Sequence, residues 1–148
     1  MNNSSAAWPN GMPEVGQRAS RSREVSMRDI ELFTDISGDR NPLHYDETIA
    51  SATCFGGIVV QGGVTSAILN AFVAEDLPGP GTVFLQVNWR FIAPVRPGDT
   101  ITGEVVGTKV REDKPITELE TRVMTSDQSI VLEGTAVCYT MPISVSGN

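Results

Sequence analysis

Asp39 stands five residues before His44, the only histidine in the chain. The segment around them reads Phe33-Thr-Asp-Ile-Ser-Gly-Asp-Arg-Asn-Pro-Leu-His-Tyr-Asp-Glu-Thr-Ile-Ala50. Histidine is the side chain whose ordinary proton affinity lies nearest neutral pH, and a neighbouring carboxylate can orient its ring or share a water with it. Those residue types suit acid–base chemistry on a water molecule. Gly38 can supply a positive-φ kink and the Asn41-Pro42 pair forces Asn41 into an extended backbone. The stretch between Asp39 and His44 is therefore expected to be an ordered bend that turns both side chains toward one cavity. The bland alternative is that Gly-Asp-x-Asn-Pro is turn chemistry and the histidine a hydrogen-bonded structural residue.

The elements that must position this loop can be read on either side of it. Ser26 and Asp29 have capping-box spacing, with apolar Ile30, Leu32 and Phe33 following, so a short helix is expected from Met27 to just before Gly38. Asp46 can cap a second short helical turn running to about Ser51. Gln61-Gly62-Gly63 then leads into Val64, Ala67, Ile68, Ala71, Phe72 and Leu77 at three- and four-residue spacing, which predicts one long, largely buried helix. Leu77-Pro-Gly-Pro-Gly81 ends it.

Beyond Gly81 the pattern becomes β-branched alternation over Thr82 to Phe91, Thr100 to Val110, Ile116 to Thr125 and Ser129 to Tyr139. These read as antiparallel neighbours joined by hairpins or short loops. One buried helix followed by a long antiparallel sheet is an α+β arrangement, with the sheet curved round the helix.

Phe33, Ile36, Ser37, Gly38, Asp39, Asn41, Pro42, Leu43, His44 and Ala50 together resemble the signature of the MaoC-like, (R)-specific enoyl-CoA hydratase family (hydratase 2), and the similarity runs on to about Met141. The resemblance implies the hot-dog fold and a homodimer. It also implies reversible addition of water across a (2E)-enoyl-CoA to give the (R)-3-hydroxyacyl-CoA, which makes the chain a hydro-lyase. Carried onto this sequence, the family's roles make Asp39 and His44 catalytic, holding the attacking water between them, with Asp39 as base and His44 as proton donor. The Gly62 N–H would stabilise the thioester oxyanion at a helix N-terminus. Asn41 would fix the loop or touch the substrate, with loop structure the stronger reading. Many members carry His-Gly followed by a larger apolar residue where this chain has Gln61-Gly62-Gly63. By that resemblance Gln61 and Gly63 join Gly62 and Asn41 as the oxyanion and substrate-binding positions, although Gln61 cannot titrate and Gly63 removes bulk beside the expected acyl pocket.

The reaction needs no cofactor, since coenzyme A enters as the substrate's thioester, and no metal site is expected. Rival readings are a dehydratase acting on a carrier-bound or free polyketide-like intermediate, a hot-dog acyl-CoA thioesterase, and a non-catalytic acyl-binding module. One histidine with Asp39 and Asp46 is a sparse metal set, and Ser66 lacks the Gly-x-Ser-x-Gly setting of a serine hydrolase.

Composition fits a single domain. At 148 residues the chain can bury roughly two-thirds of its unfolded surface. Residues 1–17 are expected to be a flexible N-terminal extension and 18–148 one MaoC-like hot-dog domain. The polar N-terminus lacks the apolar core of a secretory signal, and Cys54 and Cys138 suit a reducing compartment, so a cytoplasmic location with no membrane association is expected. A net charge of −7 argues against nucleic acid as a partner. Arg90, Arg96, Lys109, Arg111 and Lys114 in the strand-rich half could still meet phosphates, although solvated strand and loop positions explain each of them as well.

Overall fold

The computed structural model describes residues 7–8 and 11–143. Its elements run β1 (Arg18–Glu24), α1 (Met27–Ser37), a 3-10 turn (Pro42–His44), α2 (Glu47–Ser51), α3 (Gly62–Glu75), β2 (Thr82–Phe91), β3 (Thr100–Val110), β4 (Ile116–Thr125) and β5 (Ile130–Thr140). All five strands form one antiparallel sheet in the order β1-β3-β4-β5-β2. It lies against α3, the hot-dog arrangement expected.

Alternation explains how sheet and helix meet. Ile101, Gly103, Val105 and Gly107 of β3 are buried, whereas Thr100, Thr108 and Lys109 are exposed. α3 answers with Val64, Ile68, Leu69, Phe72 and Val73, all within the core cluster. Fully burying side chains such as Leu69 and Phe72 contributes about 1.5–3 kcal/mol each. Gly103 permits the closest approach: a Cβ there would stand 2.7 Å from the Phe72 ring.

α1 starts where the capping box predicts. The Ser26 N–H donates to the Asp29 carboxylate at 2.8 Å, and the Arg23 guanidinium donates to the same group at 2.6 Å. Partial burial pushes the Asp29 carboxyl up, but these hydrogen bonds outweigh it and leave the group below its ordinary value. Gly38 ends the helix in the left-handed region at φ 76°, its N–H donating to the Thr34 carbonyl at 2.7 Å.

Two features depart from the sequence reading. The first is β1, which that reading does not contain. It is an edge strand of alternating arginine and serine with little buried surface, so no apolar alternation announces it. Its attachment is polar: seven register pairs with β3, a Ser22 to Thr102 hydroxyl contact of 2.7 Å, and a bond from Arg21 to Asp76 of 2.7 Å just past α3. Such charge also guards an open sheet edge. In addition, β2 and β3 are not neighbours. The hairpin reading holds for β3–β4 and β4–β5, but β2 pairs with β5 at the far edge. The connecting segment 92–99 instead crosses the end of the sheet, where Val60 N–H bonds the Val95 carbonyl at 2.8 Å and Val25 N–H bonds the Asp99 carbonyl at 2.8 Å.

Upstream of β1, the Trp8 indole N–H donates to the Arg111 carbonyl at 2.8 Å, and Gly16 N–H donates to Gly107 O at 2.7 Å. The rest of the expected extension, residues 1–6 and 9–10, lies outside the described residues. No helix among the described residues is long and apolar enough to cross a membrane.

Candidate active site

The loop that follows Gly38 folds on its own side chains. Asp39 Oδ1 accepts from Asn41 N–H at 3.1 Å, and Asn41 Oδ1 accepts from Leu43 N–H at 3.1 Å. The second bond makes Asn41 the cap of the 3-10 turn. His44, at the end of that turn, is buried to 7% exposure.

His44 and Asp39 face one another. Nε2 of the ring stands 3.5 Å from Asp39 Oδ2, and the aspartate side chain keeps 38% of its surface exposed. On the other side of the ring, Nδ1 lies 2.7 Å from the Val59 carbonyl. A carbonyl can only accept, so Nδ1 carries the proton and Nε2 is the atom that can exchange one with whatever sits beside Asp39. Val59 N–H returns a bond to the Leu43 carbonyl at 3.2 Å, so the strand-like segment leading into α3 clamps the turn from both directions.

That segment leads directly into the Gly62 corner. Gly62 is the first residue of α3 and is exposed, and its N–H has no acceptor among the described residues. The first amides of a helix lack intrahelical partners and sit at the positive end of its dipole. Phe91 lies over this position, with a ring carbon 3.0 Å from where a Gly62 Cβ would be.

At Gly63, the position where the sequence lacks bulk beside the expected acyl pocket, another side chain takes the room. The Phe33 ring occupies the space, with atoms 2.0 and 2.2 Å from where a Gly63 Cβ would stand. Gln61 likewise points inward. It is 2% exposed, and its Nε2 donates to the Ile30 carbonyl at 3.1 Å and to Thr34 Oγ1 at 3.2 Å. Its amide protons are thus committed to α1 rather than presented to a substrate.

Thr34 and Tyr45, which sequence reasoning passed over, join this group: Thr34 Oγ1 meets the Tyr45 hydroxyl and donates to the Asp39 carbonyl at 2.8 Å. One signal was available, because Thr34 lies one turn after Ile30 on the buried face of α1, where a polar residue needs a partner. The cations of the strand half are mostly matched by neighbouring acids. Arg90 pairs with Glu133 at 3.8 Å, Lys109 with Glu118 at 3.8 Å and Arg111 with Asp113 at 2.6 Å. Arg96 bonds the Phe55 carbonyl. Among the described residues no three His, Cys, Asp or Glu side chains gather as metal ligands.

An antiparallel sheet laid on one long helix, with an aspartate and a histidine facing each other on the loop beside that helix, defines a hot-dog protein. Residues 10–129 match the family model described as MaoC like domain. The chain is 37% identical over 124 residues to the (R)-specific enoyl-CoA hydratase of Aeromonas caviae, spanning 84% of this chain and 92% of that one. It is 34% identical to the 3-hydroxybutyryl-CoA dehydratase of Methylorubrum extorquens, over 84% of this chain and 78% of the relative. The solved (R)-hydratase from A. caviae superposes with a TM-score of 0.83 at 36% identity, covering 87% of this chain and 98% of that structure. The chain belongs to the MaoC-like family, and it is an enzyme of the hydro-lyase class.

Proposed function

We propose that this enzyme adds water, reversibly and (R)-specifically, across the double bond of a (2E)-enoyl thioester of coenzyme A, with Asp39 and His44 acting on one water molecule. The observation that carries the reading is the facing pair, with Nε2 and Oδ2 3.5 Å apart and Nδ1 anchored on Val59. Two groups at that separation can both reach a single water oxygen. Asp39 takes a proton from the water as its oxygen bonds the β-carbon, a second proton, held on His44 Nε2, goes to the α-carbon, and the proton on Asp39 then passes to Nε2 to restore both groups. Negative charge gathers meanwhile on the thioester oxygen, which the Gly62 N–H meets. One such donor is worth about 2.7–4 kcal/mol in acyl-transfer sites. The similarity to an (R)-specific enoyl-CoA hydratase and a 3-hydroxybutyryl-CoA dehydratase supports this class of chemistry.

No cofactor takes part in this scheme. A cytoplasmic setting suits it, with Cys54 and Cys138 both free thiols. The partner we assign is a second copy of the chain, placed along β2. That strand is an outer strand and exposes Val83 at 51%, Leu85 at 57%, Val87 at 41% and Phe91 at 56%. Apolar alternation on an unpaired edge calls for cover. Sedimentation of the protein should give twice the chain mass, and a monomer would refute the pairing.

The test of the activity is loss of enoyl-thioester ultraviolet absorbance over a panel of short, medium and branched (2E)-enoyl-CoAs, with free thiol followed in parallel. Absorbance loss without thiol release, yielding the (R)-alcohol, is expected. Thiol release would mark a thioesterase, and silence in both channels would reject the coenzyme A substrate in favour of a carrier-bound one or a binding role.

A further inference from the structure

Thr34 is the centre of a buried hydrogen-bond set lying behind the Asp39 loop. Valence fixes its directions. The Thr34 hydroxyl has one proton, which goes to the Asp39 carbonyl at 2.8 Å, so both other partners must donate to it: the Tyr45 hydroxyl, and Gln61 Nε2 at 3.2 Å. The second Gln61 amide proton goes to the Ile30 carbonyl at 3.1 Å, and since a carbonyl accepts only, the orientation of the Gln61 amide is settled. Thr34 is 3% exposed and Gln61 2%, so the Gln61 bonds lie where water competes least, while those to the Asp39 carbonyl and the Tyr45 hydroxyl are partly buried.

We propose that Thr34, held by Gln61 and Tyr45, is a positioning residue for Asp39. The inference rests on the hydratase reading above. Asp39 follows a left-handed glycine, Gly38 at φ 76°, a backbone with ample freedom to swing. Its backbone N–H bonds the exposed Ser37 hydroxyl at 3.0 Å, whereas its carbonyl is tied to the buried Thr34. That tie sets where the carboxylate stands relative to His44, and a displacement of about 1 Å in a reacting group costs roughly a hundredfold in rate. Gln61 extends the brace further, because it is also the N-cap residue of α3 and precedes Gly62. One amide therefore couples the acid–base loop to the corner assigned to the oxyanion. As an amide, Gln61 donates two protons and does not titrate, so its part of the brace involves no change of charge.

The experiment compares Thr34→Val with Thr34→Ser by steady-state kinetics and by amide hydrogen exchange at Asn41 and Leu43, whose N–H groups close the loop. Val is expected to lower kcat by about tenfold or more with KM within roughly twofold, and to speed loop exchange by a similar factor while core amides hold. Ser should restore both. Should the valine variant not fold, Gln61→Met leaves the Thr34 donor but removes the amide that holds Thr34 and the Ile30 carbonyl of α1, and it is expected to shift kcat and loop exchange in the same direction. A valine variant with wild-type kcat, unchanged loop exchange, or no rescue by serine overturns the inference. The two readings fail separately. An active wild type with a Thr34-independent loop sinks the positioning role alone. A wild type that hydrates no enoyl thioester but shows Thr34-dependent loop exchange sinks the hydratase reading and leaves the brace standing.

Discussion

Asp39→Asn and His44→Ala are each expected to lower kcat for enoyl-thioester hydration by about a hundred- to ten-thousandfold, the range over which positioned acid–base groups act. The substitutions remove proton exchange in different ways. The asparagine introduced by Asp39→Asn keeps a side-chain oxygen that can still accept the Asn41 N–H at the position Asp39 Oδ1 holds, so the loop stays formed while its base is lost. The change His44→Ala removes the ring and its bond to Val59, so it adds some loss of stability to the loss of rate. The double variant should be scarcely worse than the poorer single one, because residues that act as a unit on one water are not additive. Initial rates on the preferred enoyl-CoA, with melting temperature as the control for folding, check all three. Either single variant retaining most of its rate would remove that residue from the chemistry.

The largest effect on stability is expected from Gly134→Ala. Gly134 on β5 pairs with Trp89 on β2 and Thr121 on β4, and a Cβ there would stand 1.9 Å from the Asn88 carbonyl oxygen. The obstacle is backbone of a paired strand and cannot turn aside as a side chain can. Relief requires β2 to separate from β5, at a cost of about 3 kcal/mol or more, or roughly 10 °C in melting temperature. Gly98→Ala is the matched control. Its φ of 96° is strained for alanine, but nothing lies within 4 Å of the added carbon, so only about 1 kcal/mol is at stake. Thermal melts of the pair should therefore differ severalfold in their shifts, and equal shifts would show that β2 yields without resistance. Since β2 ends in the Phe91 that covers Gly62, a displaced β2 should also weaken activity.

How much of this was legible in the sequence follows from whether the determinant is local. The capping box at Ser26, the αL glycine at 38 and the Asp46 cap are all set by bonds within a few residues, and the structure has each of them. β3 to β5 announce themselves by apolar alternation because one of their faces is buried, and β2 by β-branched and aromatic residues on a strand that is mostly exposed. β1 offers no such alternation, since an edge strand on polar contacts needs none. Which strand lies beside which is a matter of long-range closure, so adjacency in sequence misplaced β2. At the site, the spacing of Asp39 and His44 pointed to their facing each other. The fate of Gly63 could not be read, because the Phe33 ring that fills its space comes from another helix. Gln61 was read as facing a substrate for the same reason: its partners, Ile30 and Thr34, lie about thirty residues upstream.

The strand order also bears on when the site can exist during synthesis. β3, β4 and β5 form a meander of local hairpins, but β1 joins it across 80 residues, as in the Ser22 to Thr102 contact, and β2 across 58, as in Thr82 to Thr140. The arc bearing Asp39, His44 and Gly62 hangs between those two edge strands. Loop closure this long is slow relative to hairpin formation. A ribosome therefore releases the chemistry-bearing half of the chain well before the platform that shapes it. Those residues wait, as unorganised polymer, for the last strand to emerge. A polypeptide that ends short of β5 would carry Asp39, His44 and Gly62 without the complete sheet that positions them.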